Sequence, residues 1–160
     1  MWLVNLIPER LKWWLWRMLR PTYLVGVFVI VFRFDEVLII KKKRGVAMGY
    51  QIPGGGKDRG LSPKDAALKE LKQETGLDLR PYSIRKLPYV SSNEVHCDIH
   101  IVYVAQLDYN SSVPVVQDTF EVESADFVPI KDARSKLMPE HAAILETVLE
   151  DMFLNKKTCS

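Results

Sequence analysis

The segment of the sequence most suited to chemistry is a glycine-rich loop followed by an acidic helix. The loop covers Pro53 to Gly60 and contains four glycines, which let a backbone bend sharply and bring its polar groups close to a ligand. On the predicted helix after it, Glu70 and Glu74 are four residues apart and project from the same face, with Gln73 beside them. Carboxylate and carbonyl oxygens are the ligands that Mg²⁺ or Mn²⁺ prefers, often together with substrate phosphate. For two such glutamates alone, a solvated helix face is the more common explanation, and a metal site that acts on phosphates is the alternative.

The sequence of the same loop does not match two other phosphate-binding motifs. It lacks the Gly-Lys-Ser/Thr ending of a P-loop. It is not a dinucleotide fingerprint either, because Arg59 stands where the last glycine of that motif is required.

Local signals define the helix that carries the two carboxylates. Ser62 is suited to cap its start, Pro63 fits the first turn, and Asp65 favours the positive end of the helix. Gly76 is expected to end it. The two glutamates therefore lie in the last two turns of a well-bounded helix.

The remainder of the chain predicts a sheet and a second helix. Apolar runs predict a hairpin of Val25–Phe34 and Val37–Lys42 that turns at Asp35-Glu36, with further strands at Ile84–Val90, Cys97–Leu107 and Ala125–Pro129. A final helix is expected from Pro139 to about Phe153. Strands punctuated by two helices make a mixed α/β or α+β sandwich.

Composition favours one globular domain. The chain has 160 residues, of which 48% are apolar and 26% charged, enough for a substantial core. Cys97 and Cys159 are far apart without metal-ligand spacing, so a reducing, cytoplasmic compartment is expected. Residues 1–44 hold nine of the 22 basic residues against three of the 20 acidic ones, which suggests an anionic partner for one face but not a nucleic-acid-binding protein.

The amino-terminal segment is predicted to be an amphipathic helix over residues 8–20. Leu11, Trp14, Leu15 and Met18 form its apolar stripe, while two further tryptophans lie among basic residues. Two interpretations stay open: peripheral binding to a membrane surface, or docking on the domain with a dimer contact. We assign residues 1–21 to this appendage, 22–155 to the domain and 156–160 to a tail. The apolar runs are too short to span a membrane.

The loop and helix together resemble the Nudix box. That box reads Gly, five residues, Glu, seven residues, then Arg-Glu-apolar-x-Glu-Glu-x-Gly-apolar; here Gly55 opens it and Lys69 to Leu77 close it in register. The preceding run Tyr50 to Gly55 is similar to the family's aromatic-x-apolar-Pro-Gly-Gly lead-in. Glu121 to Ile130 is similar to its late acidic strand. The resemblance implies a Nudix-type α/β/α sandwich with a mixed sheet.

The resemblance also implies an activity and a set of site residues. We expect Mg²⁺- or Mn²⁺-dependent attack of water on a pyrophosphate linkage in a nucleoside diphosphate derivative or nucleoside triphosphate. The expected roles are metal binding by Glu70, Gln73, Glu74 and the Gly54 carbonyl, catalysis by Glu70, Glu74 and Glu121, and substrate binding by Tyr50, Lys57 and Arg59. Glu123 is an alternative to Glu121, and an exposed strand-edge role is open for both. Lys57 and Arg59 are equally well explained as solvent-facing loop charges, and core packing is the more common role for a residue such as Tyr50.

Three residues depart from the family pattern. Leu61 replaces the first Glu and Lys69 replaces the Arg, so both ends of the family's brace between loop and helix differ. Gln73 replaces the first of the paired Glu residues, which keeps a carbonyl oxygen but removes one negative charge. The alternative function is therefore a catalytically weakened module that binds a nucleotide or a protein partner.

Other polar residues are expected to have structural roles. The run Lys41 to Arg44 is typical of a solvated strand end, although a phosphate contact is the alternative. His96 and His100 are expected to line or pack the sheet, since no third ligand type lies near them.

Overall fold

The computed structural model describes residues 24–43, 48–93, 98–108 and 121–157. The expected helix at residues 8–20, both cysteines and His96 lie outside these ranges. The division of the chain into residues 1–21, 22–155 and 156–160 stays a prediction.

The described residues form seven strands, three α-helices and one short 3-10 turn. In chain order they are β1 (Leu24–Arg33), β2 (Glu36–Lys42), β3 (Gly49–Gln51), β4 (Gly54–Gly56), α1 (Pro63–Thr75), the 3-10 turn Pro81–Ser83, β5 (Arg85–Asn93), β6 (Asp98–Leu107), β7 (Val122–Pro129), α2 (Ile130–Lys136) and α3 (Pro139–Lys157). Among these helices, none is long and apolar enough to cross a membrane.

Strand β1 is the centre of a mixed sheet. It runs parallel to β6 along its whole length, and β5 extends the sheet beyond β6 as an antiparallel neighbour. The other edge of β1 is divided: β4 pairs with its first half, and β2 pairs with it only at the hairpin end, where Phe32 lies opposite Val37. Strand β2 continues away from β1 and pairs with β3 and β7 instead. The sheet therefore splits between β1 and the far end of β2.

Alternation along β1 builds a core on each face of the sheet. Val27, Val29 and Val31 are fully buried in a cluster that includes Leu71 of α1. Ile30 and Phe32 point the other way, into a cluster that includes residues of α2 and α3. A central strand covered on both faces is a continuous apolar run because side chains pointing to either face are buried, as they are here at Val27 and from Val29 to Phe32. The result is the α/β/α sandwich expected from the sequence.

The predicted boundaries of α1 are confirmed. The Ser62 hydroxyl accepts a hydrogen bond from the Asp65 N–H at 3.1 Å and occupies the N-cap. Gly76 adopts φ 76°, in the left-handed region that glycine favours, and its N–H donates to the Lys72 carbonyl at 2.9 Å. These two caps fix the register of the helix and hence the direction of the glutamates.

Several elements differ from the sequence prediction. The hairpin turns at Phe34-Asp35 rather than Asp35-Glu36, with Phe34 at φ 56°, since Arg33 and Glu36 are paired across the ladder. Part of the expected loop, Gly54–Gly56, is a short strand because β1 offers it an edge. Helix α2 was not expected, and it directly follows β7. Helix α3 extends to Lys157 rather than about Phe153.

Candidate functional site

The glycine-rich segment is held against β1 at very close range. Gly54 has φ 155°, and a Cβ atom built on it would lie 2.3 Å from the Val27 carbonyl oxygen, so only glycine fits here. The ends of the segment are fixed by hydrogen bonds from the Val29 N–H to the Pro53 carbonyl and from the Lys57 N–H to the Val25 carbonyl. This anchoring aims the Gly54 N–H away from β1 and toward α1.

Glu74 lies where α1, β4 and the far end of β2 meet. Its Oε2 accepts a hydrogen bond from the Gly54 N–H at 2.8 Å, and its Oε1 lies 2.8 Å from the Lys42 ammonium. The Glu74 side chain is 8% exposed and that of Lys42 is 16% exposed. Both oxygens of a buried carboxylate are thus bound by positively polarised groups.

Glu70 lies one helical turn before Glu74, against Gly55. A Cβ on Gly55 would come within 2.9 Å of the Glu70 Oε2, so the carboxylate rests directly on the glycine backbone. Burial raises the pKa of Glu70 above its ordinary value, while the positive charges of Lys42 and Lys69 oppose that shift. The two carboxylates therefore face the same glycine strand, as their spacing predicts.

Burial also raises the pKa of Glu74. The ammonium of Lys42 and the Gly54 N–H oppose this shift, and the neighbouring charge of Glu70 adds to it. Two neighbouring carboxylates that are partly or largely removed from water, and whose pKa values are both raised, form a site at which bound positive charge is stabilising.

The donor chemistry of this site fits a divalent cation in part. Carboxylate oxygens suit Mg²⁺ or Mn²⁺, but one oxygen of Glu74 is already paired with Lys42. Within the described ranges, no group of three or more His, Cys, Asp and Glu residues is placed to hold a metal ion. A metal at this position would therefore need water or substrate oxygens to complete its shell.

The other expected site residues are distributed more widely. Gln73 is exposed on α1, and Arg59 is exposed in the loop. Lys57 is half-buried, with its ammonium 3.2 Å from the Asp58 carbonyl oxygen. Gly54 contacts the site through its N–H, and the expected metal role of its carbonyl stays a prediction.

The late acidic residues separate into two environments. Glu121 is exposed immediately before β7, and its carboxylate lies 4.0 Å from the Lys42 ammonium, which brings it to the edge of the glutamate pair. Glu123 instead pairs with Lys41 at 2.8 Å in an exposed position. Of these two residues, Glu121 is thus the one near the candidate site.

Tyr50 does not join the glutamates. Its side chain is half-buried against the cluster on the α3 side of the sheet, and the Lys136 ammonium lies 5.9 Å from its ring centroid. The substrate contact expected of Tyr50 would have to be made from that side.

Leu61 and Lys69, which both differ from the family pattern, make other contacts in this structure. Leu61 packs against the core cluster on the α1 side. Lys69 forms an ion pair with Asp58 of the loop. A brace between loop and helix is therefore present, with its acidic end three residues earlier than in the family pattern. Because both side chains are about half exposed, this pair positions the loop more than it stabilises the fold.

Two residues of this region were not found by sequence reasoning. Lys42 was expected at a solvated strand end, yet strand alternation places it on the same face as the buried Leu38 and Ile40, which is a signal that could have found it. His141 of α3 is also buried. Its Nδ1 accepts a hydrogen bond from the Ile52 N–H at 3.3 Å, and burial lowers its pKa to about 4. Nothing in the spacing around His141 identifies it.

His100 has the packing role expected of it. Its ring makes an edge contact with Phe28, with 5.2 Å between ring centroids, and Phe28 makes a similar contact with His141 at 5.3 Å.

Comparison with known proteins identifies the family. The family model described as the NUDIX domain matches residues 22–148, most of the chain. The chain therefore belongs to the NUDIX family.

Individual relatives match less of the chain. Nudix hydrolase 25 of Arabidopsis thaliana is 36% identical over 59 residues, which cover 37% of this chain and 34% of that protein. The chain thus spans about a third of the length of this curated relative.

Solved structures support the fold. The NUDIX domain of Shewanella oneidensis NrtR, complexed with ADP ribose, superposes with a TM-score of 0.69 at 17% identity, over 93% of this chain and 96% of that one. A bifunctional NMN adenylyltransferase/ADP ribose pyrophosphatase from Francisella tularensis, complexed with AMP and a Mn ion, superposes with a TM-score of 0.67 at 18% identity, over 89% of this chain and 45% of that one.

Proposed function

We propose that this protein is a Mg²⁺- or Mn²⁺-dependent hydrolase that cleaves a pyrophosphate linkage in a nucleoside diphosphate derivative or a nucleoside triphosphate. The observation that carries the proposal is the convergence of Glu70 and Glu74 on the Gly54–Gly55 backbone. Family membership supports it.

Glu74 and Glu70 have different proposed roles because their carboxylates are held differently. Glu74 is fixed by the Gly54 N–H and is the carboxylate best placed to hold a metal. Glu70 is half-buried with a raised pKa, so it serves as a second ligand or as the base that accepts the proton of the attacking water. A bound divalent ion would neutralise phosphate charge and lower the pKa of a water molecule.

Basic residues of the loop would bind the phosphates. Lys57 and Arg59 lie in the loop that continues from the glycine strand, so they can reach a diphosphate placed over Gly54 and Gly55. Glu121, near Lys42 at the open edge, would supply a further carboxylate.

The proposed substrate class is based on the ligands of two similar solved structures. The Shewanella structure contains ADP ribose, and the Francisella structure contains AMP with a Mn ion. Both ligands are adenine nucleotides, so nucleoside diphosphates linked to a second group are the first substrates to test.

Turnover of a nucleotide panel tests the proposal. Purified protein is incubated with nucleoside triphosphates, ADP-ribose, nucleoside diphosphate sugars and dinucleoside polyphosphates, with Mg²⁺ or Mn²⁺, in ¹⁸O-labelled water. We expect nucleoside monophosphate or pyrophosphate as a product with ¹⁸O in one phosphate, and a loss of at least about a hundredfold in Glu74→Gln.

Glu123→Gln is the matched control. Glu74 and Glu123 each pair with a lysine of β2 at 2.8 Å, but only Glu74 is buried at the candidate site. Activity that is equal in both variants would contradict the proposal.

Two observations favour the alternative function of a binding module. Lys42 already neutralises Glu74, and Gln73 is exposed without the charge of the family pattern. For this function, we expect nucleotides to raise the melting temperature of the wild-type protein while no labelled product forms.

A further inference from the structure

Within the basic run of residues 41–44, Lys42 is much more buried than Lys41. Strand β2 directs Leu38, Ile40 and Lys42 to the face covered by α1, and the two apolar residues are fully buried there. Lys42 thus approaches the glutamates from inside the fold. Lys41, on the opposite face, pairs with Glu123 with side chains 38% and 49% exposed.

The Lys42 ammonium lies within a cluster of three carboxylates. It is 2.8 Å from the Glu74 Oε1 and 4.0 Å from the Glu121 Oε2, and its charge also acts on Glu70. A buried carboxylate without a cationic partner is costly, so this ammonium stabilises the acidic cluster in the protein without metal.

The same contact opposes a metal ion. The Glu74 Oε2 is bound to the Gly54 N–H, which leaves Oε1 as the oxygen that Lys42 holds. A divalent ion bound to Oε1 would share that oxygen with the ammonium, and two cations at such close range repel each other strongly in a partly buried site. The ammonium and the metal therefore compete for one oxygen.

We propose that Lys42 is a built-in substitute for the divalent ion, which holds the Glu70–Glu74 cluster together in the metal-free protein and must leave Glu74 when metal binds. This inference rests on the metal site of the proposed function. It assigns Lys42 a positioning role that sets the metal affinity: metal binding becomes an exchange of one cation for another, and its net affinity is lower than that of the carboxylates alone.

Metal binding to Lys42→Met is the direct test, with Lys41→Met as the matched control. Both changes remove one lysine of a 2.8 Å ion pair on β2. By calorimetric titration with Mn²⁺, we expect Lys42→Met to bind about ten- to a hundredfold more tightly than wild type, and Lys41→Met to bind as wild type does. Equal affinities in all three proteins would overturn the inference.

Thermal unfolding supplies a second readout without any substrate. In EDTA, Lys42→Met should melt about 10 °C below wild type, because Glu74 loses its buried partner. Saturating Mn²⁺ should raise the melting temperature of Lys42→Met most of the way back to that of wild type. A melting temperature in EDTA equal to that of wild type would show that Lys42 does not hold the cluster, which overturns the inference.

Wild-type protein provides a test that does not depend on the variant folding. With ¹⁵N-labelled lysine, the ammonium signal absent from Lys42→Arg reports on Lys42. We expect it to shift or broaden with fast exchange as Mg²⁺ is added, since the ion pair is released. A signal unchanged at saturating Mg²⁺ would overturn the inference but leave the proposed function standing, whereas no Mn²⁺ binding to any of the proteins would overturn both.

Discussion

Three successive glycines give a stringent test of the site geometry, because each alanine substitution meets different surroundings. A Cβ on Gly55 would lie 2.9 Å from the Glu70 Oε2 and 3.0 Å from its Cδ, whereas ordinary contacts are 3.4–4 Å. The Glu70 carboxylate must therefore move by about half an ångström to one ångström. Since a misplacement of about 1 Å at a reacting group can cost about a hundredfold in rate, we expect Gly55→Ala to lower kcat by about ten- to a hundredfold.

The same substitution should leave stability nearly unchanged. The atom it meets is the flexible end of a side chain, and Gly55 is not among the positive-φ glycines of the structure, so alanine is sterically allowed in the backbone. By urea denaturation, we expect Gly55→Ala to change the free energy of unfolding by less than about 1 kcal/mol.

The flanking glycines are the controls. Gly56→Ala meets nothing within 4 Å and should match wild type in both rate and stability. Gly54→Ala would place a Cβ 2.3 Å from the Val27 carbonyl oxygen at φ 155°, so we expect it to lose about 3 kcal/mol or more of unfolding free energy. Full activity in Gly55→Ala, or a loss of stability as large as that of Gly54→Ala, would refute the placement of Glu70 on the Gly55 backbone.

Three further predictions concern the fold and the metal. His141 has a pKa of about 4 in place of its ordinary 6.5, so the unfolded chain binds a proton that the folded protein excludes; the unfolding free energy of wild type relative to His141→Asn should fall by about 3 kcal/mol as the pH drops from 6.5 to 4, and no change in that difference would contradict the burial of His141. Ser62→Ala should cost about 1 kcal/mol of unfolding free energy, and Ser62→Thr, which keeps the hydroxyl bonded to Asp65, much less; equal losses would contradict the cap. Gln73→Glu should lower the Mg²⁺ concentration that gives half-maximal activity, and an increase would mean that Gln73 serves another purpose.

The sequence predicts most reliably what local rules decide. The start of α1 at Ser62 and its end at Gly76 depend on hydrogen bonds within a few residues, and the structure has both. The four-residue spacing of Glu70 and Glu74 then fixes their common direction, whatever the rest of the fold does.

Contacts between distant segments are not visible to local rules. That Gly54–Gly56 form a strand depends on a free edge of β1, which exists only because β2 diverges toward β7. Asp58, rather than a glutamate at the position of Leu61, forms the ion pair with Lys69. This contact likewise depends on the path of the loop over α1. The buried position of His141 depends on the packing of α3 against the sheet.

Lys42 is an intermediate case. Its strand and its face follow from the period-two alternation of β2, yet a run of four basic residues is more typical of a solvated strand end. The pairing with Glu74, which makes Lys42 part of the site, is set by how close α1 lies to the end of β2. Alternation predicts where the side chain points but not what it meets there.

The central claim is that Glu70 and Glu74, facing the Gly54–Gly55 backbone, bind a divalent ion. Crystals grown with Mn²⁺ and measured at the manganese absorption edge test it directly, because anomalous scattering locates the ion independently of any assumed site. We predict a peak about 2 Å from a carboxylate oxygen of Glu74 and within reach of Glu70, with the Lys42 ammonium moved away from Glu74. A fully occupied Mn²⁺ peak elsewhere would contradict it, whereas an intact Lys42–Glu74 pair beside a bound Mn²⁺ would overturn only the role assigned to Lys42.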